Sequence, residues 1–232
     1  MDNFTQIPFT IENLDRYYIR TSIFNALKEN LKYFKGKLLD YGCGKMPYKK
    51  FILENSNVSE YIGIDIENAL DYKGDKPNFT WKGDTLPFEN ETFDTIFATE
   101  VFEHIHDLDF ALIEIYRVLK KGGYLFFTVP YLWTLHEVPN DEYRYTPFSL
   151  EKKFKRANFM VVNIFATGGW NASLAQMLGL WVRRKPMSEN KRKLFSIILK
   201  PFIKYLIKKD LKPTMFKEGN MITGLYGIIK KE

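Results

Sequence analysis

Apolar residues come in short runs, separated by segments where they recur three and four apart. That change of period, from about two to about 3.6, marks strands alternating with helices. Residues 11–34 carry the helical spacing as one or two helices, closed by Lys35-Gly36-Lys37. KLLDYG (37–42) reads as a buried strand, and PYKKFILEN (47–55) as a helix with Pro47 at or near its first turn. YIGIDI (61–66), FTWKGD (79–84) and FDTIFATE (93–100) are predicted strands two to four, with a polar linker after the second. The spacing of Leu108, Leu112, Ile115 and Leu119 predicts a helix over 107–123, stopped by Gly122-Gly123. GYLFFTVP (123–130) is the fifth strand. Residues 146–159 form a helix with Thr146 as N-cap and Pro147 at its first position. FMVVNIFAT (159–167) and ITGLYGIIKK (222–231) complete the set. Such alternation predicts an α/β fold with a doubly wound, mostly parallel sheet.

Length and composition narrow this further. The 232 residues suit a single domain, with 45% hydrophobic content to fill its core. Its parts are a helical segment (1–36), a core (37–169), a basic helical insertion (170–218) and the last strand (219–232). A single cysteine, Cys43, excludes a disulfide framework and a Cys-based zinc site. No basic-then-apolar leader is visible at the start, and no window of 18 uncharged apolar residues exists. A cytoplasmic protein is therefore expected. The formal charge of +6 is uneven: residues 183–232 hold 14 Lys/Arg against 4 Asp/Glu, and residues 1–182 hold 20 against 24. The basic character belongs to the C-terminal part, and the main body is acidic.

The stretch LLDYGCGKMPY (38–48) couples a strand to a glycine loop and a helix, but lacks the third glycine of a dinucleotide fingerprint. It also lacks the Gly-Lys-Ser/Thr ending of a phosphate loop. Asp40, Asp65 and Asp84 fall at the ends of three successive predicted strands, with Glu67 two residues after Asp65. Acids there repel phosphate and suit hydroxyls and cations. S-adenosylmethionine offers a ribose, an adenine, an ammonium group and a sulfonium, without phosphate. Taken singly, each acid is as readily a turn former, and Cys43 reads as a buried filler.

The ordered series LLDYGCGKMPY, YIGIDI, GDTLPFENETFDTIFATEVFEHI and EIYRVLKKGGYLFFTVP resembles a class I S-adenosylmethionine-dependent methyltransferase of the "type 11" methyltransferase-domain group. The resemblance covers about residues 37–130. It implies a Rossmann-like seven-stranded sheet of order 3-2-1-4-5-7-6 with strand 7 antiparallel, and a cofactor over strands 1, 2 and 4. It implies that Asp40, Gly42, Cys43 and Gly44 meet the methionine portion, and that Asp65, with Ile66 beside it, takes the ribose hydroxyls. Asp84 would meet the adenine amine, with Thr85 or Leu86 offering a backbone N–H. Thr99 and Glu100 would lie beside the transferable methyl. Lys45-Met46-Pro47 departs from the Thr-Gly or Ser-Gly common in relatives, so an altered loop shape is expected.

Methyl transfer from a sulfonium needs mainly an aligned nucleophile and, where it carries a proton, a base. Candidates follow strand 4 (Glu100, Glu103, His104) and strand 5 (His136, Glu137, Asp141, Tyr143, Arg144, Tyr145). His136 is the expected general base, since imidazole titrates near neutrality. Asp141 or Arg144 would position it or the acceptor, or else merely pin the loop as an ion pair. His104 reads as organising the helix after strand 4 rather than taking a proton. The pattern His-x-x-Pro-x-Asp-x-x-Arg-Tyr-Thr resembles members associated with surface saccharides and related small metabolites, which points to a hydroxyl or carboxyl acceptor, free or lipid-linked. The spacing of the three histidines, His104, His106 and His136, identifies no metal site.

Lys200, Lys204 and Lys208, four apart, predict a basic helix within 183–212 that Pro201 should kink or restart. It reads either as a lid over the substrate or as a peripheral contact with an anionic membrane. Trp170, Leu174, Met177, Leu178 and Trp181 suit a pocket wall or an interface, and the oligomeric state stays open. Two alternative functions stand beside the enzyme: a non-catalytic partner subunit of the same fold, and an RNA methyltransferase. Against nucleic acid stand the acidic body and the apolar residues interleaved in the basic segment.

Overall fold

The computed structural model describes residues 4–67 and 76–232, so the linker after the second strand lies largely outside the described residues. The strands are β1 (Lys35–Tyr41), β2 (Asn57–Ile66), β3 (Phe79–Trp81), β4 (Phe93–Thr99), β5 (Leu119–Pro130), β6 (Phe159–Ala166) and β7 (Gly224–Lys231). They form one sheet of order β3-β2-β1-β4-β5-β7-β6, as expected, in which only β7 pairs antiparallel, with β5 and β6. The helices are α1 (Tyr17–Asn30), α2 (Lys49–Asn55), α3 (Leu108–Val118), α4 (Pro147–Arg156), α5 (Trp170–Arg184) and α6 (Glu189–Lys208).

Alternate residues of each central strand enter opposite faces, as the pleat requires. On one face Leu39, Ile96, Leu125 and Phe127 pack with Leu112 and Ile115 of α3 and Phe154 of α4. On the other, Leu38, Phe97 and Phe126 pack with Ile23 and Leu27 of α1 and Ile52 of α2. Phe97 and Phe126 stack there with centroids 5.6 Å apart. A third cluster joins Leu14 to Ala175 and Val182 of α5 and Ile203 and Leu206 of α6. Thr146 caps α4 through the Ser149 N–H at 3.2 Å, with Pro147 at the first position, as expected.

Several element boundaries differ from the sequence expectation, and β1 and β2 start earlier than expected, at Lys35 and Asn57. β3 stops at Trp81, so Asp84 lies in the exposed loop beyond it rather than on the strand end. α2 begins at Lys49, leaving Pro47 before the helix, with Tyr48 at the cap position. α3 ends at Val118 and Leu119 is already extended, so Gly122 and Gly123 lie inside β5 rather than at a helix end. α6 runs unbroken through Pro201. The proline removes the N–H that would bond the Ile197 carbonyl, and both residues are exposed, so the freed carbonyl faces solvent.

Candidate active site

Parallel order places the loops after β1, β2, β4 and β5 along one edge of the sheet, the carboxyl edge. After β1 the chain turns through Gly42 (φ +69°) and Gly44 (φ +50°), and the Gly42 and Cys43 N–H groups both donate to the Ile64 carbonyl. Asp65, at the end of β2, accepts from the Gly44 N–H at 2.9 Å and from the Ile66 N–H at 2.8 Å. Its carboxylate thus ties the two loops together, and Ile66 stands exposed beside it. Met46 occupies φ +50°, the conformation a glycine would take, while its side chain is buried against Gly63.

Three of the cofactor expectations are refined by these contacts. Asp40 is only 2% exposed and accepts a hydrogen bond from the Tyr61 hydroxyl on the α1/α2 side of the sheet. Burial pushes its pKa up to about 7, against the opposing Tyr61 hydrogen bond. Of the alternatives Thr85 and Leu86, the Leu86 N–H donates to Glu114 at 2.8 Å, while Thr85 is exposed in the loop after β3. Cys43 is buried, and its thiol pKa is raised by that burial and by Asp40 and Asp65, as befits a filler.

The loops after β4 and β5 meet because those strands are neighbours, with Thr99 opposite Thr128. Glu100 holds φ +56°, an uncommon conformation for a side-chain-bearing residue. Its N–H donates to the Thr128 carbonyl at 3.0 Å, and its carboxylate accepts from the Thr128 hydroxyl at 2.8 Å. Burial raises the Glu100 pKa, with the Thr128 hydroxyl and the charges of Arg20 and Arg144 opposing. Asp141 accepts a bidentate pair from Arg144 at 2.6 and 2.8 Å and a hydrogen bond from the His136 N–H at 3.2 Å. The Arg144 bonds hold its carboxyl at about 2, well below the usual range. Asp141 Oδ2 lies 3.2 Å from His136 Nδ1, an ion-pair distance without hydrogen-bond alignment. Burial depresses the His136 pKa, with Asp141 opposing, so the ring is neutral at pH 7.

The His136 and His104 rings meet edge to face with centroids 4.7 Å apart. Glu103 lies next to them, fully buried. Its backbone carbonyl accepts from the N–H groups of both Glu142 and Tyr143, which clips the second loop onto the first. His106 instead pairs with Glu142 on the surface. Thr128, Tyr61 and Glu114 were not foreseen, since each acts through a partner on another element.

Beside this cluster a cleft of about 390 Å³ is lined by Leu132, Trp133, Met177 and Trp181, with Arg184 and Lys185 at its edge. Trp170 lines a separate cleft with Leu211 and Met215, while Leu178 packs into the α5–α6 core. On α6 the buried Ile203 and Leu206 face that core, but Leu194, Ile197, Ile198, Phe202 and Tyr205 are exposed, with the exposed Lys191, Lys193, Lys204 and Lys208 on the same helix.

Sheet order, the antiparallel seventh strand and the loop along its carboxyl edge define the class I S-adenosylmethionine-dependent methyltransferase fold. Residues 39–127 match the family model "Methyltransferase domain", and this stretch is such a domain, of a class whose cofactor is S-adenosylmethionine. A S-adenosylmethionine-dependent methyltransferase from Archaeoglobus fulgidus superposes with a TM-score of 0.57 at 18% identity, over 95% of this chain and 97% of that one. Among curated relatives, a sterol 24-C-methyltransferase of Debaryomyces hansenii is 34% identical over 130 residues, covering 50% of this chain and 33% of its own. A phthiotriol/phenolphthiotriol dimycocerosates methyltransferase of Mycobacterium ulcerans is 28% identical over 106 residues, covering 40% of this chain and 36% of its own. The chain thus spans about a third of the length of these relatives.

The donor set fits the cofactor. Asp65 and Glu67 at the β2 end, beside a left-handed glycine turn, are acids of the kind that pair with ribose hydroxyls and cations.

Proposed function

We propose that the chain is an active methyltransferase that moves a methyl group from S-adenosylmethionine to a hydroxyl or carboxyl of a small-molecule or saccharide acceptor, including lipid-linked ones. The observation that carries this reading is the polar cluster of Glu100, His104, His136, Asp141 and Arg144, brought together beyond β4 and β5 next to an apolar cleft with a basic edge. The cofactor supplies the electrophilic methyl group. Asp65 would hold its ribose and Ile66 one face of its adenine, with Asp84 and Thr85 near the adenine edge. Thr99 and Glu100 would border the methyl. His136, neutral and flanked by Asp141, would accept the proton of a hydroxyl acceptor as its oxygen takes the methyl; a carboxylate acceptor needs no base.

Calorimetric titration with S-adenosylmethionine tests the cofactor assignment. The wild type is expected to bind, and Asp65→Ala to bind about 1–3 kcal/mol more weakly, the scale of hydrogen bonds to a charged group. Asp65→Asn, which keeps an acceptor for the Gly44 N–H, should recover part of that loss. A wild type without affinity would remove the reading and favour the non-catalytic partner subunit.

The exposed apolar residues of α6 support a peripheral contact with an anionic membrane, because apolar surface and lysines share one helix. No helix among the described residues is long and apolar enough to cross a membrane, so any contact is with the surface. In flotation, the chain should rise with vesicles containing acidic phospholipid and stay behind with neutral ones, and Phe202→Ser together with Ile198→Ser should abolish the difference. Equal recovery with both vesicle types would leave α6 as a lid.

A further inference from the structure

We propose that Glu103, His104 and His136 form a binding site for one divalent transition-metal ion of the kind that takes imidazole ligands. A ligand atom from each of the three lies within 4.8 Å of the others. Two imidazoles and one carboxylate leave a position open, as in catalytic rather than structural sites. Calcium and magnesium, which prefer oxygen ligands throughout, do not suit this set.

The arrangement is not that of a finished ion pair. Glu103 is fully buried, yet neither of its carboxylate oxygens has a hydrogen-bond partner among the described residues. Its nearer oxygen lies 3.7 Å from His104 Nε2, well beyond the roughly 2.7–2.9 Å of a charge-assisted hydrogen bond. Groups bonded to a zinc at about 2.0–2.1 Å stand roughly 3.3 Å apart. The Glu103–His104 spacing is thus close to that of two ligands around a common centre.

The surroundings select the correct lone pairs. His104 Nδ1 is 3.0 Å from the Asn140 carbonyl oxygen, which can only accept, so Nδ1 donates there and Nε2 is the nitrogen that faces Glu103. A backbone carbonyl behind a ligating imidazole is the usual outer support of such sites. His136 has Asp141 beside its Nδ1, and Asp141 is itself fixed by Arg144. The groups facing the cluster are the carboxyls of Glu100, Glu137 and Asp141 and the guanidinium of Arg144. Glu137, 64% exposed and 3.8 Å from the same His104 Nε2, marks the mouth of the site.

This inference rests on the proposed enzyme only for its catalytic meaning. With an ion bound, His136 would be a ligand, so the base role proposed above belongs to the metal-free chain. An acceptor hydroxyl held in the open position then loses its proton to solvent more readily, because the ion lowers its pKa.

Chelator-dialysed full chain, free of a polyhistidine tag, is titrated with Co²⁺ and then Zn²⁺, with absorption spectra, calorimetry and thermal melting as readouts. One Co²⁺ per chain is expected, with the visible bands of a low-coordinate centre, displaced by Zn²⁺. Glu103→Gln and His136→Gln should each weaken binding roughly 100-fold or more, and Asp141→Asn about 10- to 100-fold, as losses in the outer support do. Cooperative melting of the metal-free variants establishes that they fold. No cobalt spectrum in the wild type, or wild-type affinity in both folded ligand variants, overturns the site. Titration with S-adenosylmethionine separates the two proposals. Cobalt binding without cofactor binding overturns the enzyme reading alone, and the reverse overturns the metal site alone.

Discussion

Asp40→Asn is expected to stabilise the folded protein by about 4 kcal/mol at pH 8, while changing its stability little at pH 4. Asp40 lies on the α1/α2 side of the sheet, 2% exposed, where burial lifts its pKa to about 7. In the unfolded chain the same group titrates at about 3.9. Between those two values the folded state keeps the proton and the unfolded state has lost it. Raising the pH through that window therefore favours unfolding, at about 1.4 kcal/mol per pH unit over roughly three units. Below about pH 4 both states are protonated, and above about pH 7 the loss is complete. Asparagine has the same shape, still accepts from the Tyr61 hydroxyl and never ionises. Urea unfolding of both proteins from pH 4 to 8 checks this: the curves of stability against pH should diverge through the window, and parallel curves would show that Asp40 ionises normally.

The second large effect is expected at Gly42. An alanine there should cost about 2–5 kcal/mol and weaken S-adenosylmethionine binding as well. Two causes add. At φ +69° a side chain costs about 1–2 kcal/mol of backbone energy. The new Cβ would also stand 2.6 and 2.7 Å from the two methyl carbons of Val101, an overpacking that typically costs about 1–3 kcal/mol. Val101→Ala removes both methyls, so Gly42→Ala with Val101→Ala should recover the second part and not the first. Because the two positions touch, the double-mutant cycle should give a coupling of about 1–3 kcal/mol. Additive losses would place the whole cost in the backbone.

Hydrophobic period carried the strands as apolar runs bounded by polar or turn residues, while their order was legible only through the family resemblance of residues 37–130. The misplaced ends have physical reasons. Apolar spacing continues from Val118 into Leu119 without interruption, because both are core residues of the same cluster, so the junction of α3 and β5 left no mark in the sequence. Pro201 reads as a break, yet it sits on the exposed side of α6, where its missing hydrogen bond costs least. Asp65 could be read as a loop acid from its distance to the glycines. That Asp40 would turn to Tyr61 could not, since only the β1–β2 register sets that approach. Glu103 illustrates the same limit: its buried carboxylate faces histidines from two loops. The expected order placed strands 4 and 5 side by side, which was the available signal that His104 and His136 would meet.

The antiparallel placement of β7 bears on how the chain assembles. This strand lies between β5 and β6 and bonds both, yet it is the last of the seven to be synthesised. While a ribosome is still making α5 and α6, β5 has only one neighbour and β6 has none, and both present open backbone edges. The sheet then closes by late insertion of a strand between two waiting edges, a pairing with high loop-closure entropy and a slow step by topology alone. The nascent chain is most exposed to mispairing and aggregation in that interval.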